Sequence, residues 1–120
     1  LHEAKLIRLL YSDDLSVKKM QKPDKILMEN TNLLQALSLQ VPNIGTMRET
    51  FFCNQLGYTH QVEYNKRGDY LIDHKYVFEI GGKAKDGKQV ANIENAYIAS
   101  DECDYPIGNK LPLWLFGLMY

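Results

Sequence analysis

The sequence predicts an α/β domain of the α+β type, with a central mixed sheet that contains an antiparallel three-stranded meander and is flanked by helices. Apolar and aromatic residues alternate with a period of two in three consecutive runs, 60–64, 69–72 and 76–80, which is typical of half-buried strands. The stretch 46–56 repeats apolar residues at helical spacing. The later run 96–99 favours a parallel or edge strand, so the predicted order is helix, meander and further strand.

Length and composition predict one domain. With 120 residues the chain can form its own core, and 45% hydrophobic with 24% charged residues are the proportions of an ordinary globular domain. The net charge of −1 gives no overall attraction to nucleic acid or to an anionic membrane. The longest apolar run, 111–120, is too short to span a bilayer, so we expect a cytoplasmic protein without a membrane partner. Cys53 and Cys103 follow no metal-binding spacing and are expected as buried, reduced thiols.

Short elements are expected in an N-terminal extension, 1–42, ahead of a core over 43–120. The run 6–11 favours a strand or the end of a helix, and the run 25–28 favours a second strand. The polar residues 30–32 offer three candidates for the N-cap of a leucine-containing helix. The extension is therefore predicted to be ordered but small.

The predicted helix 46–56 carries one carboxylate, Glu49, on the flank of its apolar stripe. Thr46 and Glu49 have the spacing of a capping box, in which the glutamate bonds back to the start of the helix. In the other interpretation Glu49 leans over the edge of the sheet towards the carboxylates of the meander. The sequence leaves both roles open.

The last two strands of the meander form a hairpin that holds the strongest candidate site. With a three-residue turn, Ile72 pairs with Tyr76, and Asp69 falls directly opposite Glu79. Two carboxylates placed so closely need a cation, a proton or open water between them. If the strand continues in extended form, Lys83 lies on the same face as Glu79. A turn of two or four residues would offset the two acids.

The order of these pieces resembles a known family. A helix with a glutamate, a meander that carries Asp and then Glu, and a further helix and strand are similar to the restriction-endonuclease-like fold and its PD-(D/E)xK pattern. More specifically, several segments look like the C-terminal domain of unknown function of bacterial, Bacteroidetes-like AAA+ superfamily ATPases. These segments are 23–26, 30–34, 43–52, 68–71, 78–83 and 112–117.

The resemblance implies roles for individual residues. Asp69 matches the motif aspartate, Glu79 the second acid, and Glu49 the helix glutamate that occurs in part of the nuclease superfamily. Gly81 stands at the position of the motif lysine, so Lys83 is the candidate that replaces it from the same face. A shift of two residues moves a side chain about 6–7 Å along a strand. The implied cofactor is Mg²⁺ or Mn²⁺, held by Asp69 and Glu79.

Two functions follow from the resemblance. Gly81 at the lysine position argues against cleavage, and so favours a degenerate nuclease-like fold that binds protein or nucleic acid as the accessory domain of an AAA+ ATP-binding protein. The alternative is a nuclease that depends on Mg²⁺ or Mn²⁺. The chain contains no P-loop, so ATP would bind only in an upstream ATPase domain. That domain is the expected partner, together with DNA and a second copy of the chain.

Two groups of residues are candidates for such an interaction. Lys83, Lys85 and Lys88 form a basic cluster beside the acidic pair. The C-terminal segment contains Trp114 and Phe116 and is too apolar to remain in water. We therefore expect this segment to pack on the core or on a partner.

Overall fold

The computed structural model describes residues 3–12 and 22–119, which form a mixed α+β arrangement of seven strands, two α-helices and two 3₁₀ helices. No helix in these two ranges is long and apolar enough to cross a membrane. The elements are, in chain order, β1 (Ile7–Leu10), β2 (Lys25–Met28), α1 (Thr31–Leu37), α2 (Ile44–Leu56), β3 (Val62–Tyr64), β4 (Tyr70–Ile72), β5 (Tyr76–Gly81), a first 3₁₀ helix (Lys88–Val90), β6 (Ala96–Ser100), β7 (Lys110–Pro112) and a C-terminal 3₁₀ helix (Leu113–Leu118).

The strands form one small and one large sheet. β1 and β2 pair as an antiparallel ribbon, and the other strands form a five-stranded sheet in the order β3-β4-β5-β6-β7. β3, β4 and β5 are the predicted antiparallel meander, whereas β6 and β7 run parallel to β5. The predicted mixed sheet is confirmed. The run after the meander is an interior parallel strand, not an edge strand.

The hairpin between β4 and β5 has the three-residue turn that places Ile72 opposite Tyr76. Asp73 and His74 have φ angles of 52° and 57°, and the turn closes with a 3.0 Å hydrogen bond from the Lys75 N–H to the Ile72 carbonyl. The two central residues thus adopt the left-handed conformation that a tight hairpin needs. Of the turn lengths that the sequence left open, the structure therefore has the one of three residues.

Aromatic rings fill the core between α2 and the large sheet. Phe52 of α2 is fully buried, and its ring centroid lies 5.1 Å from that of Phe78 and 5.0 Å from that of Phe116. The C-terminal 3₁₀ helix contributes Leu113 and Phe116 to this core and leaves Trp114 55% exposed. The apolar C-terminal segment thus packs on the core of its own chain, and Leu111 and Met119 add partly buried contacts to those of Leu113 and Phe116.

The N-caps differ partly from expectation. Asn30 caps α1, as one of the three candidates predicted. Asn43 caps α2, because its Oδ1 accepts hydrogen bonds from the N–H groups of Gly45 at 2.8 Å and Thr46 at 3.4 Å. The helix consequently begins at Ile44, and the predicted Thr46–Glu49 capping box is wrong.

Both cysteines are buried and unpaired, as expected from the sequence. Burial raises the pKa of the Cys53 thiol to about 12, so the group is neutral at physiological pH. A neutral, buried thiol is a poor nucleophile. Cys53 is therefore a packing residue of α2.

Candidate functional site

Glu79 is an almost fully buried carboxylate in the second half of β5, with an exposed fraction of 2%. Its Oε1 accepts a 2.8 Å hydrogen bond from Nζ of Lys85. Its Oε2 is also buried and has no hydrogen-bond partner among the described residues. A buried carboxylate oxygen without a donor is costly. Glu79, Asp69 and Glu49 are called the acidic cluster here, and Oε2 of Glu79 is its buried oxygen without a hydrogen-bond donor among the described residues.

Lys85 reaches Glu79 by passing over Gly81. A β-carbon added to Gly81 would overlap the Cγ of Lys85 and would also meet its Cδ and Cε. The pKa of Lys85 is raised, first by the hydrogen bond to Glu79 and then by the negative charges of Glu79, Asp69 and Glu49, while burial opposes the shift. Lys85 therefore contacts Glu79 directly, and the charges of Asp69 and Glu49 act on it from a distance.

Asp69 is held against β5 on both sides of Glu79. Its N–H donates to the carbonyl of Phe78 at 2.9 Å, and its Oδ2 accepts a hydrogen bond from the N–H of Ile80 at 2.7 Å. The regular pairing of β4 with β5 extends to Tyr70 and Phe78, which is one pair short of Asp69 and Glu79. Asp69 thus bonds the backbone on both sides of Glu79, but the two residues do not form the directly opposed pair that was predicted, because the ladder is offset at this point.

Glu49 faces the sheet and not its own helix terminus. Its Oε2 forms a 2.8 Å ion pair with Nζ of Lys25 on β2, and that ammonium lies 5.4 Å from the ring centroid of Tyr70. The charge of Glu49 also contributes to the raised pKa values of Lys85 and Tyr70. Of the two roles that the sequence left open, Glu49 does not take the capping role, and its carboxylate pairs with Lys25 of β2.

The three lysines of the predicted basic cluster go to different places. β5 ends at Gly81 and Lys83 lies in a turn, so the extended strand that was expected to carry Lys83 beside Glu79 is absent there. Lys85 turns into the acidic cluster, and the exposed Lys88 pairs with Asp86 at 3.1 Å. The three lysines thus differ in their surroundings: Lys85 bonds the buried Glu79, Lys88 forms an exposed pair with Asp86, and Lys83 lines the neighbouring cleft.

An open cleft of about 560 Å³ adjoins the cluster. Gly45 and Arg48 of α2 line one side, and Gly81, Lys83 and Lys85 line the other. Arg48 is already engaged, with its Nε 2.6 Å from Oδ2 of Asp101. The cleft brings backbone and basic side chains close to the acidic cluster without burying them.

The donor set suits a hard cation only in part. Residues 3–12 and 22–119 contain no group of three or more His, Cys, Asp or Glu side chains arranged to hold a metal ion. Asp69 and Glu79, with the backbone carbonyl of Ile80, would supply oxygen ligands of the type that Mg²⁺ and Mn²⁺ prefer. The unpartnered Oε2 of Glu79 is the atom that fits such an ion.

Lys85 is the functional candidate whose role the sequence did not predict, since it was assigned only to the basic surface. The pair Gly81-Gly82 was the available indication, because two glycines end a strand and let the loop return over it. Searches with protein-family models, among curated proteins and among solved structures gave no match to this chain.

Proposed function

We propose that this domain is a nuclease-like accessory domain of an AAA+ superfamily ATP-binding protein, and that Asp69 and Glu79 bind a divalent cation for contact with phosphodiester groups. The observation that carries the proposal is the buried Oε2 of Glu79, which has no donor from the described residues. Such an oxygen is satisfied by a cation or by a proton. Lys85 donates its hydrogen bond to the other oxygen, Oε1, and leaves Oε2 available for such a partner.

The order of elements supports the same proposal. Helix α2 precedes the meander β3-β4-β5, and a crossover that contains a 3₁₀ helix leads to the parallel strand β6. This is the order that the resemblance to the restriction-endonuclease-like fold implies. Asp69 immediately precedes β4 and Glu79 lies in β5, which are the positions that the resemblance implies for the two acids.

Each side chain has a defined role in this proposal. Mg²⁺ or Mn²⁺, when bound, supplies a Lewis acid that polarises a phosphate oxygen. Asp69 and Glu79 hold the ion, and the backbone N–H of Ile80 fixes the Asp69 carboxylate. Lys85 provides positive charge next to Glu79, and Lys83 lines the adjoining cleft, where a phosphate would find a second cation.

Calorimetric titration with Mn²⁺ tests the proposal. We expect the chain to bind Mn²⁺ and Asp69→Asn to weaken binding by more than about tenfold, since even outer partners of metal ligands contribute that much. Asp86→Asn is the matched control, because Asp86 is an exposed carboxylate that pairs with Lys88. Equal affinity in Asp69→Asn and the parent, with unchanged circular dichroism, would overturn the cation site.

Hydrolysis is a second candidate function, favoured by the position of Lys85. Glycine at position 81, where the motif has a lysine, argued against cleavage. Lys85 lies over Gly81 and contacts Glu79, and we assign it the role of the motif lysine. We expect Mn²⁺-dependent nicking of plasmid DNA that Lys85→Met abolishes and Lys88→Met preserves. If the parent chain binds Mn²⁺ but leaves the plasmid intact, the domain only binds.

Exposed apolar residues between α1 and α2 favour docking to the ATPase domain. Leu39 and Val41 are 102% and 93% exposed, and Leu37 and Ile44 beside them are more than half exposed. Apolar side chains grouped in this way mark protein contacts. Sedimentation of the chain provides the test: a monomer agrees with an external partner, whereas a dimer that Leu39→Asp dissociates would assign this segment to a second copy.

A further inference from the structure

A second pocket lies at the other end of α2, away from the acidic cluster. It has a volume of about 350 Å³ and is bounded by Leu56 of α2, Tyr97 of β6 and Phe116 of the C-terminal 3₁₀ helix, among others. It shares no lining residue with the cleft beside Gly81. Pockets for small ligands usually measure about 300–1,000 Å³, so this one is of the size for a single small molecule.

The walls of this pocket are largely aromatic. The rings of Phe78 and Tyr97 stack with centroids 5.6 Å apart, and Phe116 meets Phe78 edge-on at 5.5 Å. Tyr76 continues the row, with its centroid 6.3 Å from that of Tyr97. Aromatic rings prefer offset-stacked and edge-to-face neighbours, and these walls offer faces as well as edges. A planar aromatic molecule is therefore better matched to the pocket than a flexible aliphatic one.

One polar pair, His60 and Asp73, lies among the lining residues. Nδ1 of His60 is 2.7 Å from Oδ2 of Asp73, and Oδ1 of Asp73 accepts a 2.8 Å hydrogen bond from the N–H of Gln61. The N–H of Asp73 in turn donates to the carbonyl of Gln61. The pair is thus fixed to the backbone and orients the imidazole at the pocket.

The hydrogen bonds of Asp73 determine which nitrogen of His60 is available. The backbone N–H of Gln61, followed by His60, lowers the pKa of Asp73, so this group is a carboxylate at neutral pH. A carboxylate only accepts hydrogen bonds, so Nδ1 of His60 carries a hydrogen and donates it to Asp73 in a hydrogen bond. In the neutral imidazole Nε2 is then an acceptor. The pocket consequently combines aromatic walls with a hydrogen-bond acceptor at Nε2 of His60.

We propose that this pocket binds a small planar aromatic molecule that carries one O–H or N–H donor, of the phenol or indole class. The ring lies against Phe78 and Tyr97, and the donor bonds Nε2 of His60. This binding site is independent of the proposed cation site, because the two share no residue.

Titration of the isotope-labelled chain with indole, followed by NMR, tests the site. We expect saturable shifts of amides around β5, β6 and the C-terminal 3₁₀ helix. Indene has the bicyclic shape of indole without its N–H, and we expect it to bind about fivefold more weakly, the ratio that one hydrogen bond supplies. Equal binding of indole and indene to the parent chain would overturn the proposed recognition.

Two variants separate the ring contact from the hydrogen bond. In His60→Phe, indole and indene should bind equally, because the acceptor is lost and an aromatic ring is kept. Met119→Trp places a large ring in the pocket from its C-terminal margin and should prevent binding of both probes. Indole shifts that persist in Met119→Trp, or that spread over the surface without saturating, would overturn the site.

Discussion

The side chain of Lys85 occupies the space that a β-carbon on Gly81 would fill, and its ammonium lies 2.8 Å from Oε1 of Glu79. The glycine at position 81 is therefore a steric condition for this ion pair. A larger residue there would displace the lysine that neutralises the buried acid.

Gly81→Ala should destabilise the domain through this contact. The added β-carbon overlaps the Cγ of Lys85, which is close to the backbone and cannot swing away as freely as the end of the chain. We expect the free energy of unfolding to fall by about 1–3 kcal/mol, the usual cost of overpacking. Urea denaturation followed by circular dichroism measures this change.

The control for Gly81→Ala is the same substitution in a Lys85→Ala background. Without the Lys85 side chain nothing lies over residue 81, so Gly81→Ala should lower the free energy of unfolding clearly less in this background. The double-mutant cycle should show a coupling energy of about 1 kcal/mol or more. Equal costs in both backgrounds would mean that Lys85 does not pack over Gly81.

Asn43→Ala should shorten or weaken α2. The Asn43 carboxamide accepts hydrogen bonds from two N–H groups of the first turn, and loss of such a cap costs about 0.5–2 kcal/mol. Thr46→Ala tests the alternative cap and should change the free energy of unfolding by less than about 0.5 kcal/mol. A larger effect for Thr46→Ala than for Asn43→Ala would restore the capping box.

Phe116→Ala should destabilise the fold far more than Trp114→Ala. Phe116 is 7% exposed and contacts the rings of Phe52 and Phe78, so its truncation leaves a cavity that costs about 3–5 kcal/mol. Trp114 is 55% exposed, and we expect its replacement to cost about 1 kcal/mol or less. Thermal unfolding of both variants measures the difference, and comparable losses would contradict the packing of the C-terminal segment.

The stabilising contribution of Asp73 to the free energy of unfolding should disappear at low pH. Its pKa lies below the usual 3.8 in the folded chain, first because of the Gln61 N–H and then because of His60. A lowered pKa stabilises the fold above pH 3.8 and this contribution disappears as the pH falls through the folded-state value. Asp73→Asn should therefore be less stable than the parent at neutral pH, with the difference shrinking below pH 3.8. A difference between the two proteins that does not change with pH would contradict this linkage.

Local patterns predicted most of the elements of the fold. Period-two alternation in the meander and apolar spacing in α2 depend on residues that are neighbours along the chain, and both are confirmed. The start of α2 was missed, because Thr46 and Glu49 satisfy the capping pattern while Asn43 lies outside it. Several residues can bond the first N–H groups of a helix, and the sequence does not show which of them does.

The sequence by itself determined the strand order of the meander, and it made Asp69 and Glu79 neighbours on the condition of a three-residue turn, which the structure supplies. These follow from short-range backbone geometry, since the register of a hairpin is set by its turn. Only the tertiary structure decided which lysine meets Glu79, because that depends on how the loop after Gly81 folds back over β5. The pocket at His60 is likewise formed where β4, β5, β6 and the C-terminal 3₁₀ helix come together. Patterns of neighbouring residues do not predict contacts between segments that are distant in the sequence.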